Sequence, residues 1–149
     1  MTRVLPLLLV LACTTTPEIP VGPCSQMVYD ACVTYTADAP NLSTRAMASA
    51  FEAAARYWGT KPTALAGWTV VVRGRDPFLL GPYSLWGITH MDLHRMDFAV
   101  PLATCRGLVL THEWGHAGAG IYGHDDARFA QSAIATFLGD GCPIDPARD

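Results

Sequence analysis

The chain has 149 residues, a formal net charge of -3 and a hydrophobic fraction of 50%. Length and apolar content suit one soluble domain with a real core. The mild acidity and the lack of any basic run argue against a nucleic-acid surface; no nucleic-acid partner and a monomeric state are expected.

The N-terminus stands apart from the rest. Arg3 is followed by an apolar stretch, Val4 to Ala12, that is too short to span a bilayer. Residues 1–12 therefore read as an export signal. They run into Val10-Leu11-Ala12-Cys13. A small residue followed by Cys at this place resembles the lipobox of bacterial lipoproteins. The resemblance implies that Cys13 is lipidated and becomes the mature N-terminus, on the periplasmic or cell-surface face of a membrane. Residues 13–23, rich in Pro and Thr, then form the lipid-bearing Cys and a flexible tether, with a folded domain over 24–149. Removing Cys13 leaves Cys24, Cys32, Cys105 and Cys142. An even number in a small exported domain points to two disulfides, with three pairings open. Cys24–Cys32 with Cys105–Cys142 is the favoured set. A zinc thiolate site is disfavoured because no C-x2-C pair exists.

Along the domain, Val28 to Tyr35 reads as a short strand. Asn41 to Thr44 offers helix caps. From Arg45 to Trp58 apolar residues recur at three-to-four spacing, which predicts an amphipathic helix closed by Gly59 and Pro62. Trp68 to Arg73 is a β-branched run and predicts a strand. Asp76 to Tyr83, rich in Gly and Pro, reads as loop. Ile88-Thr89-His90 and Asp97 to Val100 are expected to pair as a hairpin around Leu93-His94-Arg95. After Pro101 a central helix is expected over about Thr104 to Gly118, and a last one over Asp126 to Leu138, with Asp125 and Asp126 suited to its N-terminus. The fold class is α+β.

The central helix carries the chemistry. Residues 112–116 read His112-Glu113-Trp114-Gly115-His116. Histidines four apart lie on one helical face and can reach one metal ion from a single rigid element. Glu113, beside the first of them, can act on a water molecule at that ion. Hydrolytic zinc needs three protein ligands and an open position, and this HExxH motif supplies two ligands and the base. From Gly107 to Tyr122 the segment carries no charge apart from these groups, as a buried active-site helix requires. Trp114 fits core packing, and Glu52 the solvated face of its helix. His90 and His94 fit the edge of a cleft. One of them, or Tyr122, is a candidate to stabilise an oxyanion.

Motif and element order together resemble the zincin metallopeptidases, over Asn41 to Leu138. The family implies a small domain with a backing helix, a twisted sheet whose edge strand borders the substrate cleft, the HExxH helix and a C-terminal helix. It implies zinc on His112 and His116, with Glu113 as general base for peptide-bond hydrolysis; the partner is then a peptide or protein substrate. Subclasses divide at the third ligand. A gluzincin-like Glu on a later helix is closed, because the only glutamates are Glu18, Glu52 and Glu113. The metzincin spacing places Gly at 119 and His or Asp at 122, where this chain has Ala119 and Tyr122. The stretch from His116 through Gly118, Gly120 and Gly123 to His124 looks like that turn lengthened by two residues. His124 is then the natural third ligand, with Asp125 and Asp126 as competitors. The methionine turn of that family is absent, since Met96 is the last methionine. Two other readings stand beside the peptidase: an inactive metal-binding or adaptor lipoprotein on the same fold, and a structural domain without metal.

Overall fold

Where the chain must reverse, its backbone does so at few places, and the first builds the edge of the sheet. The computed structural model describes residues 22–74, 78–80, 83–85, 87–99 and 106–129. The signal expected over 1–12, the tether expected over 13–23 as far as residue 21, Cys105, Cys142 and most of the last helix lie outside the described residues. Strand β1 (Gln26–Val28) pairs antiparallel with β2 (Ala31–Tyr35), Val28 opposite Ala31. The segment 28–35 is thus not one strand. Tyr29 and Asp30 take φ of 47° and 64°, the left-handed pair of a two-residue hairpin turn. Cys24 and Cys32 form a disulfide across this hairpin, with Cα atoms 5.4 Å apart.

Helix α1 (Thr44–Trp58) follows the predicted span. The Ser43 hydroxyl accepts from the Ala46 amide at 3.1 Å. At the other end Gly59 sits at φ 69°; its amide donates to Arg56 O and that of Thr60 to Ala55 O. That pair of bonds is a Schellman closure and needs the left-handed residue at Gly59. A 3-10 turn at Pro62–Leu65 leads into β3 (Thr69–Val72), which lies parallel to β2. Residues 76–83 are not all loop: β4 (Phe78–Leu80) and β5 (Tyr83–Leu85) pair as a separate two-stranded sheet. The expected hairpin is present as β6 (Gly87–His90) and β7 (Arg95–Phe98), with β7 parallel to β3. The five-stranded sheet runs β1-β2-β3-β7-β6, so β6 is an edge strand. Helix α2 (Arg106–Ala117) carries the histidine motif, and residues 127–129 open a further helical turn. The fold class is α+β.

Strand alternation sorts the sheet into two faces. Val33, Val70, Val72, Met96 and Phe98 turn toward the helices and are buried in the core. Phe51 of α1 meets Trp114 of α2 edge to face, ring centroids 5.1 Å apart. Trp114 is wholly buried, as its reading as core required, and its Nε1 donates to Thr60 Oγ1 at 2.9 Å. Trp58 Nε1 donates to Thr111 O at 2.6 Å. Two indole donors therefore pin α2 to α1 without leaving a buried N–H unpaired. On the opposite face Asp97 is buried and accepts from both Arg73 and Arg95 at 2.7–3.1 Å. Charge enters this sheet only as a satisfied cluster.

Candidate metal centre

Three imidazoles meet at the end of α2. His112 and His116, one turn apart, present Nε2 on one face of the helix. The chain then leaves the helix through Gly118 and turns back by way of Gly120 (φ 70°) and Gly123 (φ 84°). His124 arrives with its Nε2 3.1 Å from that of His112 and 3.1 Å from that of His116. One ring nitrogen from each of the three falls within 4.8 Å of the others. His112 and His116 are half-buried and His124 is exposed.

The donor set fits a zinc ion. Zinc takes imidazole nitrogens at about 2.0–2.1 Å, so donors gathered this closely can surround one ion. His116 Nδ1 lies 2.7 Å from Ile121 O. A carbonyl can only accept, so the proton sits on Nδ1 and the lone pair on Nε2, toward the cluster. The same bond holds the returning loop against the helix. Burial, followed by the charges of His116 and His124, holds the His112 imidazole down at about 4, so it is neutral near neutral pH.

The two competing acids are placed otherwise. Asp126 is ion-paired to Arg128 at 2.6 Å and accepts the Arg128 backbone amide at 2.9 Å. Those bonds hold its carboxyl down at about 2 and make it the cap of residues 127–129. Asp125 is exposed and is not among the clustered donors. Between His124 and the two aspartates, the geometry brings only His124 to the cluster. Arg128 also lies over the Trp58 ring at 4.6 Å, and Tyr57 donates to Arg128 O at 2.6 Å, so the far end of the loop is fastened to α1.

Glu113 points into the body of the domain and is only 5% exposed. Its Oε2 accepts from the Thr89 hydroxyl of β6 at 2.7 Å. A Cβ at Gly87 would lie 2.5 Å from Glu113 Oε1 and 2.7 Å from Val109 Cγ1. Only glycine there lets β6 and α2 approach this closely. Burial pushes the Glu113 carboxyl up from 4.5 to about 7, with the Thr89 bond pulling the other way.

Sequence reasoning missed Thr89, Gly87 and Phe129. Thr89 and Gly87 share a strand face, so period-two alternation beside a helix-borne acid was the available signal. Phe129, within the span expected for the last helix, sits against the histidines. Neither His90 nor His94 is among the clustered donors. His90 alternates with Thr89 and so faces away from α2. His94 lies in the β6–β7 turn and stacks on Trp68, centroids 5.2 Å apart. Tyr122 is 78% exposed on the returning loop. Glu52 is exposed, as expected, and accepts from the Tyr29 hydroxyl.

The chain matches no protein-family model, no curated protein and no solved structure. No helix among the described residues is long and apolar enough to cross a membrane.

Proposed function

We propose that this chain is an exported, zinc-dependent endopeptidase of zincin type. The observation that carries the reading is the convergence of His112, His116 and His124 at Nε2, with the His116 tautomer set by Ile121 O. The packing of α1 behind α2, and the antiparallel edge strand β6 beside it, support the zincin arrangement. The Cys24–Cys32 disulfide supports an oxidising compartment, consistent with export and anchoring through Cys13.

Bound zinc would supply Lewis acidity and lower the pKa of water toward about 7. His112, His116 and His124 would hold the ion. Glu113 takes a proton at its carboxylate as water attacks the peptide carbonyl, then returns it to the leaving amine nitrogen. Thr89 fixes that carboxyl, so the proton acceptor stays in one orientation between the two transfers.

A second reading, metal binding without hydrolysis, draws on the depth at which Glu113 is buried. One set of variants separates the two. Wild type is expected to hold about one zinc per chain and to cleave unstructured peptides. His124→Ala should lose the metal, and Glu113→Gln should keep it while cleavage disappears. Zinc retained by Glu113→Gln with cleavage unchanged removes the peptidase mechanism; a wild type that takes up no zinc after reconstitution removes the metal site.

A further inference from the structure

Phe129 is buried, and its ring touches every member of the histidine cluster. Its centroid lies 4.6 Å from His116 in a stacked arrangement, 5.0 Å from His112 and 5.1 Å from His124, both edge to face. The three imidazoles are themselves 4.9–5.4 Å apart. The four rings thus form a near-regular tetrahedron, with Phe129 closing one side of the histidine triangle. Its far side rests on Trp58, centroids 4.8 Å apart, and Gly115 leaves room for both: a Cβ there would lie 2.7 Å from Phe129.

We infer that Phe129 is a positioning residue for the metal centre, the common floor that sets the three imidazole orientations and keeps water from one side of the ion. The inference rests on the metal reading above and deepens it. Ring faces and edges attract when packed this way. Three such contacts from one ring hold the ligands at fixed mutual angles without using their donor nitrogens. The ring also offers no donor atom, so ligand exchange at the ion is confined to the opposite side. A bound ion would then keep few water ligands, taken from the side of the exposed His124.

The test is binding of Co2+ and Zn2+ to the full chain, read by affinity and by the visible absorption of Co2+. Four- and five-coordinate Co2+ absorbs far more strongly than six-coordinate Co2+. Wild type should show the strong band. Phe129→Leu, which keeps apolar bulk but no ring, should bind roughly 10-fold more weakly, the lower end for groups that orient metal ligands. Its band should weaken as water enters. Phe129→Ala should go further in both measures. Met47→Ala is the control, since Met47 is equally buried on α1; it should lower stability while leaving affinity and spectrum of the folded protein unchanged. If wild type binds neither ion, the metal reading falls and this inference with it. If wild type binds and Phe129→Leu matches it in affinity and spectrum, the inference alone is overturned. The same holds if Met47→Ala shifts both as far as Phe129→Leu does.

Discussion

Helices α1 and α2 pack on each other, yet they follow opposite rules. Helix α1 obeys every local preference: a Ser43 cap, an alanine-rich interior, apolar residues on one face and a left-handed glycine at its end. Helix α2 violates them. It places Gly115 inside its last turn, a buried carboxyl at Glu113 and two half-buried histidines on the helix. Natural sequences keep their levels consistent except where function demands otherwise. Under the proposed function the contrast would give α1 to stability and α2 to chemistry, and it can be broken by substitution.

The largest effect is expected in α1. Phe51→Ala removes a wholly buried ring and should cost about 3–5 kcal/mol in denaturant unfolding. Metal affinity of the folded fraction should hardly change. A specific loss of metal binding would show that α1 is more than scaffold.

Glycine and alanine exchanges sharpen the contrast further. Ala53→Gly on the exposed side of α1 should cost about 1 kcal/mol, the ordinary helix penalty. Gly115→Ala in α2 should also destabilise, by about 1–3 kcal/mol, although helix propensity alone favours alanine. The new methyl would press on Trp58 and Phe129. Stabilisation by Gly115→Ala would mean that these rings pack less tightly than described.

The smallest effect is a slope with pH in the metal-free protein. Burial holds His112 down from 6.5 to about 4. Between these values the unfolded chain binds the extra proton, so stability rises with pH. Glu113, pushed up from 4.5 to about 7, does the reverse: the folded state keeps a proton that the unfolded chain has released, and stability falls as pH rises. The two oppose each other where the windows overlap. Glu113→Gln leaves the His112 slope alone, so unfolding midpoints in chelator should climb more steeply from about pH 4 to 6.5 than in wild type. Partial exposure keeps the slope well under the ~1.4 kcal/mol per pH unit of a full proton. Parallel profiles for the two proteins would contradict the burial of Glu113.

The same contrast explains what was legible in the chain. Helix α1, strand β3 and the β6–β7 hairpin come from short-range patterns, so periodicity and β-branching reveal them. The motif reveals His112, Glu113 and His116 because their spacing is itself helical. His124 was preferred over Asp125 and Asp126 through its glycines, but the ion pair by which Arg128 claims Asp126 was not legible. The Tyr29-Asp30 turn was hidden because neither residue is the Asn-Gly or Asp-Gly expected of such a turn. Thr89, Gly87 and Phe129 act across 24, 26 and 13 positions, to Glu113 and to His116 respectively, and no local pattern carries such distances.

Among the described residues no carboxylate joins the gathered donors, which bears on competition among ions. His112, His116 and His124 offer nitrogen alone. Calcium and magnesium demand oxygen, and their abundance outside a cell gives them little purchase on three imidazoles. Among first-row metals the same nitrogens rank copper above zinc. If the proposed site takes a metal, supply would decide which of these it holds, and the protein's environment would become part of its chemistry.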